Sequence, residues 1–145
     1  MRDPSLQLRT AIWQAISDIH MEIGQPAVGV YDELAQDNAT YPRIILLDCI
    51  GGDNDNSKCG FGGDWSQTIK ISDSFTGGAS KNTIDGLSDI IMQRLVVTDP
   101  LGILPLPDFD IWNVQGSVVF TQRYSDGTRK YIDKNLRITF SLTEK

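Results

Sequence analysis

The feature that most constrains the fold is a long hairpin pattern near the C-terminus. Apolar and polar residues alternate over residues 112–120 and again over residues 136–142, which places successive side chains on opposite faces of a sheet. The apolar members of the first run are predicted to share one face: Trp112, Val114, Val118 and Phe120. Between the runs lies Asp126-Gly127, a dipeptide preferred in two-residue turns. The pattern predicts two long antiparallel strands whose tip, Arg123 to Lys134, projects from the body.

Two amphipathic helices are predicted before this hairpin. In the first, Asp3 is the expected cap and Pro4 takes the first helical position. Gly24 and Pro26 are expected to end it. Its apolar residues recur at three- and four-residue steps and form a predicted buried stripe: Ile12, Trp13, Ile16, Ile19 and Ile23. Ser80 is the expected cap of the second helix, whose stripe keeps the same spacing: Ile84, Leu87, Ile91 and Leu95.

Three further strands are predicted at Val28–Tyr31, Arg43–Asp48 and Trp65–Phe75. The second of them contains Ile44-Ile45-Leu46-Leu47, a run typical of a strand buried on both faces. The third alternates cleanly between apolar and polar residues. The element order predicts one α+β domain over residues 1–145, with a mainly antiparallel sheet whose strands meet through hairpins and both helices packed on one face.

The charge and hydropathy of the chain exclude some classes of protein. The formal net charge is −6 and the pI is about 4.6, whereas a nucleic-acid binder needs a basic stripe to neutralise phosphates. No apolar run approaches the roughly 20 residues of a membrane-spanning helix, and Arg2-Asp3 does not open a signal peptide. We therefore expect a protein that acts in the cytoplasm where it is made and does not bind a membrane.

Residues that could carry catalysis are few and scattered. The chain has one histidine, His20, which is too little for a multi-histidine metal site and is expected to complement the dipole at the end of the first helix. Cys49 and Cys59 are expected to stay unconnected in a reducing cytosol. The carboxylate pairs Asp85/Asp89 and Asp108/Asp110 are expected to be solvent charges rather than acid–base catalysts. The sequence predicts no enzyme and no cofactor.

The segment Gly51–Asp64 is rich in Gly, Asp and Asn and predicts a long exposed loop. Its oxygen-bearing side chains at Asp53, Asp55, Ser57 and Asp64 have the spacing of an EF-hand loop. Lys58, however, stands where that loop needs glycine, and strands are predicted on both sides. Three interpretations remain open: a solvated loop, a calcium site, and the one we prefer, a segment that orders when subunits assemble.

Taken together, four features of the chain resemble the tail-terminator (tail-completion) family of long-tailed bacteriophages. They are the opening helix followed by Val30-Tyr31-Asp32, the strand start Tyr41-Pro42-Arg43-Ile44, the strand-to-helix segment Trp65–Leu95, and the closing hairpin with Asp126-Gly127-Thr128-Arg129 at its turn. They span nearly the whole chain in the order and spacing of that family. The segment from Cys49 to Trp65 and the proline-rich Leu101–Pro107 are not among the features that carry the resemblance.

The resemblance implies a structural virion protein of the tail or neck, assembled in the host cytoplasm as a homohexameric ring. One face would stack on the tail tube protein and end polymerisation, the other would receive the head-completion (stopper) protein, and DNA would pass through the lumen without specific binding. We hypothesise that the acidic loop or the hairpin tip lies at a ring interface. The residues concerned are Asp53, Asn54, Asp55, Asn56, Phe61, Asp64, Arg123, Tyr124, Asp126, Arg129, Lys130 and Tyr131.

Two alternatives stay open at this point. Within the same class, the chain could be another neck component, such as a connector or adaptor protein. In a different class, it could be a small enzyme or ligand-binding domain that uses Cys49, His20 and the acidic loop, or a calcium-binding module. The second class predicts a concave pocket with perturbed titrating groups.

Overall fold

The computed structural model describes residues 3–20, 27–32, 41–53, 62–76, 81–96, 104 and 106–145. Within these ranges the chain forms two helices and five strands. In chain order they are α1 (Ser5–Ile16), β1 (Gly29–Asp32), β2 (Arg43–Asp53), β3 (Gly62–Thr76), α2 (Lys81–Leu95), β4 (Phe109–Asp126) and β5 (Arg129–Glu144).

The strands form one sheet in the order β1-β2-β3-β5-β4. The pairs β2–β3, β3–β5 and β5–β4 are antiparallel, so the predicted α+β class with a mainly antiparallel sheet is confirmed. β1 and β2 are parallel, and the expectation that the strands meet through hairpins is wrong for this pair. Parallel neighbours need a crossover connection rather than a tight turn.

The core lies between the sheet and the two helices. α1 contacts β2, and α2 contacts β3 and β5. The predicted stripe of α2 is fully buried at Ile84, Leu87, Ile91 and Leu95, and each of these side chains contributes about 1.5–3 kcal/mol by leaving water. The sheet supplies the facing apolar side chains: Ile44, Leu46, Ile69, Ile71, Leu136, Ile138 and Phe140.

α1 begins one residue later than expected and ends early. The Ser5 amide donates to Asp3 Oδ1 at 2.8 Å, so Asp3 satisfies a free N–H group at the helix start, although Pro4 stands at the N-cap position and not inside the helix. The helix ends at Ile16; Ile19 is buried after the end, where its carbonyl accepts from the Val28 amide. Ile23, Gly24 and Pro26 lie outside the described residues.

The β2–β3 hairpin is longer than the sequence predicts. Gly51 pairs with Trp65 and Asp53 pairs with Gly63, so both ends of the predicted 51–64 loop belong to strands. Glycine permits the close approach, because a Cβ on Gly51 would lie 2.4 Å from the Asp64 carbonyl oxygen. β3 also pairs with β5 on its other side, as far as Gly62. The hydrogen bonds from β5 hold this segment as a strand, although its composition is typical of a loop.

Two bulges reset the alternation of β4. The register shifts at Trp112 and again at Val119, and each extra residue moves the following side chains to the other face. The predicted shared face is therefore wrong for Trp112, the extra residue of the first bulge, and for Phe120, which pairs with Asn135 on the other side of the sheet. Val114 and Val118 share the helix side, where Val114 is buried and Val118 is exposed. The residue buried beside Trp112 is Ile111.

The turn of the β4–β5 hairpin is displaced by one residue from the predicted position. Asp126 pairs with Arg129, so the two loop residues are Gly127 and Thr128 rather than Asp126 and Gly127. Gly127 has a φ of +61°, the left-handed conformation that the first position of primed turns requires. The tip is not a free two-stranded ribbon, because β3 pairs with β5 as far as Thr76.

Candidate interaction surfaces

The two predicted interface segments lie at opposite ends of the sheet. Asp64 is near the start of β3, where Gly62 pairs with Thr143, whereas Thr76 at the other end pairs with Arg129 at the hairpin tip. Fifteen residues of strand separate these ends by about 45 Å. The structure therefore does not bring the loop and the tip into one surface.

At the loop end, the described acidic residues belong to the strands. Asp53 closes the β2–β3 ladder, and Asp64 Oδ1 accepts a hydrogen bond from the Ser141 hydroxyl at 2.8 Å. Asn54, Asp55, Asn56 and Phe61 lie outside the described residues. An EF-hand needs helices on both sides of its loop, and this segment joins two strands, which disfavours the calcium interpretation.

At the tip, one face of the sheet carries a cluster of tyrosines. Tyr124 and Tyr131 are cross-strand partners, and their rings stack with centroids 5.0 Å apart. Tyr41 lies against Tyr131 at 6.0 Å, and the Arg43 guanidinium sits 4.1 Å from the centroid of the Tyr41 ring. Burial raises the pKa of Tyr124, and the nearby charge of Asp133 raises it further. This arrangement places the predicted interface residues Tyr124 and Tyr131 in one aromatic cluster.

The same tip contains a cavity of about 430 Å³. Phe75 and Ile132 give it an apolar floor, and Arg123 and Lys130 bring positive charge to it; Tyr124, Ser125 and Tyr131 complete its lining. Among the residues that the structure describes around this cavity, none is a carboxylate, a histidine or a cysteine. This combination of apolar and positively charged side chains suits an apolar or acidic group of a partner.

An exposed apolar stretch on β4 was not predicted from the sequence. Val118, Val119 and Phe120 are 50%, 42% and 52% exposed. The sequence shows these residues as an unbroken apolar triplet, which could have indicated an exposed stretch. The alternating pattern over residues 112–120 instead predicts that Val118 and Phe120 share a face with Trp112 and Val114. Trp112 is also exposed, and its indole N–H donates to the Thr143 hydroxyl.

A second exposed apolar surface lies on α1. Leu6 is 75% exposed and Trp13 is 49% exposed, so the assignment of Trp13 to the buried stripe is wrong. Seven residues separate the two, which places them on one side of the helix. Together with Asp32 and Leu46 they line a cavity of about 200 Å³; Arg9 and Thr10 complete it, and Arg9 binds Asp32 at 3.1 Å.

The remaining candidate catalytic groups do not converge. Asp85 binds Lys134 at 3.0 Å, Asp110 lies 3.8 Å from Lys145, and Asp108 accepts from the Gln7 amide at 2.7 Å. Within the described ranges, no group of three His, Cys, Asp or Glu side chains could hold a metal ion.

The surroundings of Cys49 and His20 do not favour catalysis by the thiol or by the imidazole. Burial raises the pKa of the Cys49 thiol, which disfavours the reactive thiolate. His20 is exposed and lies four residues beyond the end of α1, so the predicted position at the helix terminus is wrong. Cys59 lies outside the described residues.

The fold can be compared with those of known proteins. No protein-family model matches the sequence, and no curated protein matches it. The structure is similar to a chain of the solved structure "Virion of native gene transfer agent (GTA) particle", with a TM-score of 0.67 and 18% sequence identity. The match covers 97% of this chain and 96% of that one. At this identity the likeness shows a shared fold. None of the helices in the described ranges is long and apolar enough to cross a membrane.

Proposed function

We propose that this chain is a structural, non-enzymatic protein of a phage-like virion. The observation that carries the proposal is the fold likeness to a virion chain over nearly the full length of both chains. A match of this extent leaves little of the chain for an added catalytic module. The dispersed carboxylates and the raised pKa of the Cys49 thiol support the same conclusion, because an active site needs reactive groups in one place.

Within the virion, we propose the role of tail terminator. The chain would form a homohexameric ring on the head-proximal end of the tail tube, stop its polymerisation, and provide the docking surface for the head-completion protein. The sequence resemblance supports this position, and two exposed apolar surfaces supply the subunit contacts that a closed ring needs. The net charge of −6 suits a lumen through which DNA slides without binding.

Tail assembly in vitro tests the proposed position. Purified protein is added to polymerising tail tube protein, and tube lengths are measured by electron microscopy. We expect a ring at one end of each tube and no further growth after it binds. Unlimited growth with no bound ring would contradict the terminator role. Binding to the head connector instead of the tube would favour another neck component.

The acidic loop is tested by replacing residues 54–61 with Asn-Gly. The replacement leaves a three-residue connection between Asp53 and Gly63, a length that hairpins accept. We expect an unchanged thermal midpoint and weaker ring or tube contact. A Gly/Ser segment of the original length serves as the control, because it separates the effect of loop length from that of the side chains. Normal tube docking by both variants would rule out a role of the loop in the interface.

A further inference from the structure

The outer edge of the sheet at β4 is built to receive another chain. β4 is the last strand in the sheet order, and its 18 residues extend for about 55 Å. The backbone groups along the outer edge of such a strand have no partner within the sheet. Long edge strands are templates for pairing with a further strand.

β4 lacks the side chains that protect an edge. Between Asp110 and Arg123 the sequence contains no charged residue and no proline. Lysine and proline are the residues that usually prevent pairing at an exposed edge. The bulges at Trp112 and Val119 interrupt the edge, but they leave a regular stretch, Asn113–Val118, of ordinary strand length. Over this stretch, no strand in the described part of the chain pairs with the outer edge of β4.

Apolar side chains surround the open edge on both faces. Val118 pairs with buried Leu136 and so lies on the helix side of the sheet, whereas Phe120 pairs with Asn135 and lies on the other side. Val119 is the extra residue of the bulge between them. Three consecutive exposed apolar residues are costly in water unless a partner covers them.

The opposite edge of the same sheet carries a matching surface. Here α1 packs over β2, next to the other edge strand, β1. Leu6 and Trp13 stand beside the cavity of about 200 Å³, which is below the 300–1,000 Å³ of typical ligand pockets. It suits a single side chain of a protein partner. The Asp32 carboxylate at its rim binds Arg9 but is 58% exposed, so a second basic residue can reach it.

The distribution of exposed apolar residues connects these two surfaces. In the described part of the chain, eight large hydrophobic side chains are exposed. Five of them are on β4 (Trp112, Val118, Val119, Phe120 and Tyr124) and two are on α1 (Leu6 and Trp13). The eighth, Ile50 on β2, lies apart from both surfaces.

We propose that the β4 edge of one copy docks against the α1–β1 surface of a second copy, with Val118 entering the cavity beside Trp13 and Arg123, which lies on the same side of the sheet as Val118, facing Asp32. Two different surfaces at opposite edges of one subunit make a head-to-tail contact, which is the kind that closes into rings. Pairing of β4 with β4 would stop at a dimer and leave the α1 surface uncovered. The inference deepens the proposed ring and rests on it.

The test uses two variants that each destroy one surface. Val119→Lys blocks the β4 edge and Trp13→Glu blocks the α1 surface; Ile50→Lys is the matched control, because it places the same charge at an exposed apolar position outside both surfaces. Mass is measured by light scattering against the 16.1 kDa monomer, and circular dichroism checks that each variant folds.

We expect wild type and Ile50→Lys to form the same oligomer and each surface variant alone to run as a monomer. An equimolar mixture of the two surface variants should form a dimer and nothing larger, because one intact contact remains between them. A monomeric wild type, an oligomer of Val119→Lys, or a mixture that stays monomeric would overturn the inference. A dimer of Trp13→Glu alone would indicate β4–β4 pairing instead.

These outcomes are separate from those of the tail assembly experiment. Purified protein that assembles as described but does not stop tube growth would leave the subunit contact in place and contradict the terminator role. If the wild-type protein caps tubes and Val119→Lys still forms rings, the terminator role is supported and the proposed subunit contact is contradicted.

Discussion

The two strands of the C-terminal hairpin are similar in length and in apolar content, yet they have different surroundings. β5 lies between β3 and β4 and under α2, and its side chains Ile132, Leu136, Ile138, Phe140 and Leu142 are buried. β4 lies at the edge and exposes the Val118–Phe120 triplet. An apolar strand is therefore part of the core only where a neighbour covers it, and apolar residues at an edge remain available for contact with another chain.

The largest expected effect comes from one cross-strand pair. Leu136 is fully buried and its partner on β4, Val118, is half exposed. Leu136→Ala should lower the free energy of unfolding by about 2–5 kcal/mol, because it leaves a cavity in the core. Val118→Ala should change it by roughly 0.5 kcal/mol or less. Urea unfolding of both variants measures the difference, and equal losses would show that β4 is as well covered as β5 in the isolated chain.

A buried polar residue on the middle strand β3 should have a smaller effect. Gln67 is fully buried and its Nε2 donates to the carbonyls of Leu47 at 2.7 Å and Thr68 at 2.9 Å. The register of β2 shifts beside Leu47, so this amide satisfies a carbonyl that the sheet ladder leaves free. Gln67→Leu should cost about 1–3 kcal/mol.

The control for Gln67 is Gln93→Leu, which removes an exposed amide that donates only to Asp89. This variant should stay within about 0.5 kcal/mol of wild type. Equal stability of the two glutamine variants would contradict this prediction and would indicate that water can hydrogen-bond to the Leu47 carbonyl in place of Gln67.

The smallest effect should depend on pH. Asp73 on β3 is buried, and burial raises the pKa of its carboxyl above the ordinary value of 3.8. The folded protein therefore holds this proton more tightly than the unfolded chain does, and stability falls as pH rises from about 3.8 through the raised pKa. Asp73→Asn should thus be more stable than wild type at pH 7, and the difference should shrink on acidification. Thermal melts of both proteins across pH measure it; a difference independent of pH would contradict the assigned cause.

The candidate surfaces were only partly predictable. The sequence indicated Arg123, Tyr124, Lys130 and Tyr131 at the tip because they flank a turn, and the structure adds that they line one cavity. The sequence does not indicate that Phe75 and Ile132 line the same cavity, because their proximity depends on the pairing of β3 with β5. Whether the tip and the 53–64 loop contact other subunits stays a prediction.

What the sequence determined by itself is local: the periodicity of α2, the strand character of β2, β3 and β5, and the turn glycine at Gly127 all follow from spacing and backbone preference. What only the tertiary structure decided is which apolar residues are covered. Two bulges in β4 removed Trp112 and Phe120 from the face that Val114 and Val118 share, and no described strand pairs with the outer edge of β4. Register and strand order depend on contacts between distant segments, and the periodicity of one segment contains no information about its neighbours.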